Sequence, residues 1–235
     1  MNTSSHLSEN LALLSHETTE LVRTASGLDD DALRGASLCE GWTRAHVLSH
    51  IARNADGLGN LASWAITSVP RAMYASPEAR DADIAIGAAR GAQVILSDLQ
   101  DSAARFAQAA TGLTGAPEQI EVEMRHGRMV LGGQLPSLRL MEVVIHHVDL
   151  DAGYTFADSD PGFVRRAVAN SVERMKAGGQ APSVTLRSDE GDTWTIGDGA
   201  QLVTGSNAEL LSWLTRGRGA GMSSEAPLPV LPSWG

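Results

Sequence analysis

Several things are scarce in this chain, and each scarcity removes a class of protein. There is one cysteine, Cys39, in 235 residues, so no internal disulfide can form. That suits a reducing compartment. Basic residues are few: 18 Lys plus Arg stand against 28 Asp plus Glu, a formal net charge of -10. An acidic chain with no basic run is a poor electrostatic match for nucleic acid. No apolar stretch approaches the ~20 residues of a membrane span. The opening MNTSSHLSEN lacks the basic-then-apolar order of a secretory signal. A soluble, cytoplasmic protein with neither nucleic acid nor membrane as partner is expected.

What is present is enough chain for one large domain or two modest ones, each with a real core. Leu7, Leu11, Leu14, Leu21 and Val22 fall at helical spacing and predict a first helix over about residues 5–26. After a polar stretch, Thr43 is a plausible N-cap for a second helix, RAHVLSHIARNADGLGNLASWAI, which Pro70 ends. Ser76-Pro77-Glu78 is a strong helix start. The third helix is read from there towards Ala110, with Ile84, Ile86, Val94, Ile95 and Leu99 on its apolar side. Gly87 and Gly91 are weak points in it. Residues 119–132 alternate enough for a short hairpin or an extended loop. A fourth helix is expected near Pro136–Gly153.

Beyond Gly153 the texture changes. Asp160-Pro161 opens another helix that stops at Gly178-Gly179. Three β-like runs follow, SVTLRS, DTWTIG and QLVTG, separated by turn residues. A last helix spans Asn207 to about Thr215, and the Pro-rich tail APLPVLPSWG reads as extended over the surface. The expected class is α+β: a four-helix bundle over residues 1–154, then a small α/β domain over residues 155–235.

Glu142 and His146 lie four apart on the fourth helix, so they project from one face. His46 and His50 have the same spacing on the second. Metal sites are commonly built by facing helices of a bundle. Two imidazoles and one carboxylate leave a fourth position for water or substrate, the open arrangement of catalytic zinc. Iron, nickel and manganese accept the same ligands. Spacing alone also describes ordinary surface pairs. It leaves open which of His46, His50, His146 and His147 would bind. Asp149, three residues after His146, reads either as a carboxylate that orients a ligand imidazole or as a solvated helix-end charge.

The segments EGWTRAHVLSHIARNADGL, MYASPEARDADI and EVVIHHVDLDAG, with the Gly217-Arg218-Gly219 run, resemble the mycothiol-dependent maleylpyruvate isomerase family. Its members are DinB-like metal-binding helical bundles with the same two-domain layout. The resemblance implies a zinc, or another divalent cation, on His50, Glu142 and His146. It makes His46 either a structural residue or one standing behind the ligands, and His147 a non-ligand. It also implies active-site roles for Arg80, at the end of SPEAR, and for Arg218 in the second domain, which would help complete the site. Asn54 matches a bundle position without a defined role. Cys39 stands where the family leads one to expect an apolar residue, and reads as a small buried side chain.

The implied reaction converts maleylpyruvate to fumarylpyruvate, a cis-trans isomerisation in gentisate-type aromatic degradation. It proceeds by reversible addition of a thiolate. No catalytic cysteine is evident, so the thiol would come from outside, as mycothiol or another low-molecular-weight thiol. Arg80 and Arg218 suit a dianionic substrate because the guanidinium fork binds carboxylates bidentately. Arg139 is a weaker candidate for the same task. A metal-dependent thiol S-transferase on the same fold is the alternative.

Overall fold

The computed structural model describes residues 3–179 and 181–232. The chain divides into two compact units, Met1–Tyr154 and Thr155–Gly235. In the first, α1 (Thr3–Ser26) buries Leu7, Leu14, Leu21 and Ala25, a stripe at heptad spacing. A single-turn helix, α2 (Asp30–Arg34), is capped by Asp29, which accepts from the Ala32 N–H. The long α3 (Arg44–Thr67) starts at Thr43 and ends at Ser68 in the left-handed conformation. Its buried residues lie on nearly every side, so it is the central helix.

The third helix expected from Ser76 to Ala110 is instead two. α4 (Pro77–Ala88) starts on Ser76, and α5 (Ala92–Ala110) starts after the chain turns extended at Gly91, with ψ 157. Near the break, Gly87 lets α4 pack closely on α3. A Cβ there would lie 2.0 Å from Ser49 Oγ and 3.0 Å from Ser49 Cβ on α3. Only a helix with glycine at that point comes so close, and a straight continuation would not bring both halves onto α3. Both α4 and α5 pack on α3, and α5 also meets α1. The chain then forms an antiparallel hairpin, β1 (Glu121–Glu123) and β2 (Met129–Leu131), with Val122 opposite Val130. α6 (Leu135–Asp149) closes the bundle against α1 and α3.

Side chains lock the start of α3 to the end of α6. Arg44 donates from Nε to the Leu150 carbonyl and from Nη2 to the Asp151 carbonyl at 3.1 Å. These carbonyls belong to the orphan acceptors of a helix C-terminus. The loop before α3 joins in: the Leu38 N–H donates to the Asp149 carbonyl at 2.9 Å.

In the second unit, α7 (Pro161–Gly178) is capped by Asp160. A four-stranded sheet follows in the order β4-β3-β5-β6, from β3 (Val184–Ser188), β4 (Thr193–Ile196), β5 (Gln201–Gly205) and β6 (Ser223–Ser224). β3 and β5 pair in parallel, with Leu186 opposite Val203; the other pairs are antiparallel. α8 (Asn207–Arg216) carries a capping box from Ser206 and Glu209, ends on Gly217 with φ 66, and buries Trp213 against α7 and the sheet. The tail is extended: Gln201 Nε2 donates to the Ala226 and Pro227 carbonyls at 3.1 Å. Ser233–Gly235, the last part of the tail expectation, lie outside the described residues. Among the described residues no helix is long and apolar enough to cross a membrane.

A valine at Gly87 is expected to cost about 1–3 kcal/mol in denaturant unfolding, because it overpacks the α3–α4 contact. Adding Ser49→Ala should recover part of that loss. A neutral Gly87→Val would show that α4 is not held this closely.

Candidate metal centre

Local rules place the four histidines differently. Thr43 accepts from the His46 N–H, and the Thr43 N–H donates to His46 Nδ1, both at 3.4 Å. His46 thus occupies the third position of a capping box, and its ring serves the helix start. His50 lies one turn further along α3 and is 6% exposed. On α6, Glu142 and His146 share a face. His147 points elsewhere: it is buried, stacks on Tyr154 with ring centroids 3.6 Å apart, and has Nε2 2.8 Å from Thr24 Oγ1 on α1.

The facing turns of α3 and α6 bring three groups together. His50 Nε2 is 3.0 Å from Glu142 Oε2, and His146 Nε2 is 3.6 Å from the same oxygen. One ligand atom from each of the three lies within 4.8 Å of the others. Ligands about 2.0–2.1 Å from a tetrahedral zinc stand roughly 3.3 Å apart. The donor set and its spacing therefore fit such a cation.

A second layer surrounds the three groups. Asp149 is fully buried, and its Oδ2 lies 2.7 Å from His146 Nδ1. The solvated reading of this aspartate is replaced by one in which its carboxylate fixes the ring and tautomer of His146. Cys39 Sγ donates to the same oxygen at 3.2 Å and lies 4.0 Å from His146 Nδ1. It sits beside the centre, a place that nothing in its sequence context indicates. The signal is tertiary, since the loop carrying Cys39 is bonded to the end of α6. On the other side, Arg80 Nη2 donates to His50 Nδ1 at 3.2 Å, and Arg80 Cζ lies 5.9 Å from the centre of the Tyr74 ring. Trp42 leans over His50 with centroids 5.5 Å apart. Tyr74 also lines a cavity of about 460 Å³, with Trp64, Met73 and Arg71 and with Arg125 and His126 of the hairpin.

Two further arginines need placing. Arg139 does not reach the centre as an anion clamp. It is 1% exposed and donates from Nη1 to the Ile51 carbonyl at 2.8 Å and to Asn54 Oδ1 at 2.7 Å, inside the bundle. This also gives Asn54 its role as acceptor. Arg218 is exposed in the second unit, just after the Gly217 cap.

Burial and neighbours set the charges. Burial pushes His50 down to about 4, against the pull of its hydrogen bond to Glu142, so the ring is neutral at pH 7. Arg80 can only donate, so Nδ1 accepts and Nε2–H donates to Glu142. Burial also opposes charge on Glu142, but hydrogen bonds from His146 and His50 outweigh it and hold the carboxyl well below its usual range. For His146, burial is again unfavourable, yet Asp149, Cys39 and Glu142 together raise it well above an ordinary histidine. One neutral and one charged imidazole thus face a single carboxylate.

A helical bundle with an imidazole–carboxylate cluster between two facing helices, followed by a small α/β unit, defines the class. The family model described as the mycothiol maleylpyruvate isomerase N-terminal domain matches residues 14–151. A crystal structure of a mycothiol-dependent maleylpyruvate isomerase is 31% identical, with a TM-score of 0.91 over 97% of both chains. A histidine-to-alanine mutant of such an enzyme is 30% identical, again with a TM-score of 0.91 and 97% of each chain covered. No curated protein matches by sequence. The chain belongs to the mycothiol-dependent maleylpyruvate isomerase family.

A cation entering this cluster must displace the proton on His146. Zinc affinity is therefore expected to rise roughly tenfold per pH unit through neutrality, with release of about one proton by calorimetry in buffers of different ionisation enthalpy. Asp149→Asn should weaken zinc binding by about 10–100-fold. Affinity that is flat above pH 6.5 would contradict the charge assigned to His146.

Proposed function

We propose that this protein isomerises maleylpyruvate to fumarylpyruvate with mycothiol as thiol co-substrate and a divalent cation, zinc by preference, on His50, Glu142 and His146. The observation that carries the proposal is the approach of these three groups with Arg80 alongside, in a chain of this family. The chemistry supplied by the bound groups is reversible thiol addition to the cis double bond, which makes it a rotatable single bond until the thiol is lost, beside a cation that keeps that thiol deprotonated.

The chain's own residues do the rest. His50 and His146 present Nε2, and Asp149 holds His146 in the tautomer that leaves this atom free to coordinate. Neutral His50 with a cation on Nε2 would carry its proton on Nδ1, a donor facing the Arg80 donor. Arg80 would then give up that contact, leaving Nη2 for a substrate carboxylate while Nη1 stays paired with Asp81 at 2.6 Å. Arg218 is proposed as the second carboxylate-binding cation, from its Gly-Arg-Gly setting. Cys39 turns its S–H towards Asp149. It is engaged there as a donor, which supports a thiol brought from outside. The cavity beside Tyr74 offers aromatic and polar walls for that co-substrate. The Trp42 ring lies against His50.

The test is the zinc-loaded protein with maleylpyruvate and a panel of thiols. Fumarylpyruvate should form with mycothiol, and the thiol should be recovered unchanged. Arg80→Ala and Arg218→Ala should each lower kcat/KM by about 10²-fold, the size of a lost charge-assisted hydrogen bond in the transition state. A product that retains the thiol covalently would instead indicate an S-transferase. No isomer with any thiol would sink the proposal.

A further inference from the structure

α3 carries a glycine in its interior, where alanine would serve the helix better. Gly57 is buried in the middle of this central helix, two turns beyond His50 and on the same face. The space it leaves is taken by Met73 and Tyr74, from the segment that precedes α4. A Cβ on Gly57 would lie 3.0 Å from Tyr74 Cε1, Tyr74 Cζ and Met73 Cγ. The hydroxyl end of the Tyr74 ring is therefore seated directly on α3. Arg80, whose Nη2 donates to His50 Nδ1, borders the same ring, with Cζ 5.9 Å from its centre.

The hydroxyl is only half used by the protein. Burial pushes the phenol above its ordinary range while Arg80 pulls the other way, so it keeps its proton at neutral pH. Glu142 and Arg125 also act on it, which places it within the field of the metal centre. Arg80 is its one hydrogen-bonding neighbour, and a guanidinium only donates. The phenol oxygen can accept from Arg80, but the O–H finds no acceptor among the described residues. Tyr74 is half-buried and lines the cavity of about 460 Å³. A donor without a protein acceptor, beside both a ligand cluster and a cavity, is left for an oxygen of a bound molecule.

We infer that Tyr74 is a catalytic residue whose O–H donates to the substrate's ketone oxygen, the one conjugated with the cis double bond. The inference rests on the isomerase reading and fills a place which that reading leaves open. Addition of the thiolate forms a C–S bond at the far carbon of the double bond and shifts the π electrons onto that ketone oxygen. The carbon–carbon bond, now single, turns. The electrons then return, the C–S bond breaks and the thiolate leaves, so no proton is gained or lost overall. The arginines are assigned to carboxylates, and none of the other groups assigned above meets the oxygen on which the charge appears. A preorganised donor at such an oxygen is commonly among the largest contributions to a rate. A neutral phenol suits the task, because its hydrogen bond strengthens as charge develops and its proton need not leave.

Tyr74→Phe keeps the ring on Gly57 and removes only the hydroxyl. In the full-length, zinc-loaded protein it should lower kcat by about 10²–10³-fold, the range for a lost oxyanion donor, and change KM by less than about threefold. Zinc content and melting temperature should stay as they are. Gly57→Ala displaces the ring but retains the hydroxyl. It should lower kcat by about fivefold alone and cost nothing further when added to Tyr74→Phe. A second measurement needs no turnover: acetylpyruvate, an anion with the same ketone and a ready enolate, is titrated by calorimetry into both proteins. Tyr74→Phe should bind it about tenfold more weakly, the worth of a hydrogen bond to a charged group. If the wild type forms no isomer yet shows this difference, the isomerase reading fails and Tyr74 stands as the oxygen donor of the site. A wild-type kcat in Tyr74→Phe, equal affinity of the two proteins for acetylpyruvate, or no binding by either would overturn the inference.

Discussion

The architecture of the first unit depends on how α6 meets α3. Two buried or half-buried arginines hold that contact. Arg44 ties the start of α3 to the carbonyls at the end of α6. Arg139 ties the middle of α6 to Ile51 and Asn54 on α3. Burying a guanidinium is expensive, and its pKa of about 10 records that expense. What results is directional fixation: a hydrogen-bonded cation permits one register between two helices, where apolar packing tolerates several. His50 lies between the two clamps on α3, and Glu142 and His146 lie between them on α6. The cluster is therefore set by contacts that are not themselves ligands.

Within that frame the two histidines are chemically opposite. His50 is driven neutral by burial and by the Arg80 donor at its other nitrogen. His146 is backed by Asp149 and Cys39 and held as a cation. A carboxylate behind an imidazole raises its basicity, and a guanidinium in the same place lowers it. A cation bound by the three groups would thus have one strongly donating ligand and one weaker one, with Glu142 supplying the balancing negative charge. The overall fold is shared with a crystal structure of a mycothiol-dependent maleylpyruvate isomerase over 97% of the chain.

Much of the bundle could be read along the chain. Helix starts at Thr43, Ser76 and Asp160 rest on capping chemistry, which is local, and all three act as caps in the structure. The hairpin over residues 119–132 and the strands of the second unit follow from alternation and turn residues, which are equally local. The break between α4 and α5 was indicated only by two glycines. The close approach of Gly87 to Ser49, a contact between elements far apart in sequence, lay outside what the chain's local pattern could tell. The same holds for Arg139. A charge three residues before Glu142 looks like an anion clamp in one dimension, and only packing shows it turned into the core.

The sequence by itself determined most of the elements, though not the division of α4 from α5, and the pairing of Glu142 with His146, because these follow from periodicity and caps within one helix. It also carried the family motifs in order. Spacing left open which imidazole faces that pair; the family motifs implied His50, and tertiary structure brings it to Glu142 and His146. His46 and His50 have equal claims by spacing, and the capping of Thr43 engages one ring while α6 meets the other. It decided the role of Asp149 and the presence of Cys39, since those depend on a loop bonded to the far end of α6. Local chemistry is written residue by residue, whereas the approach of two helices is the outcome of every contact between them.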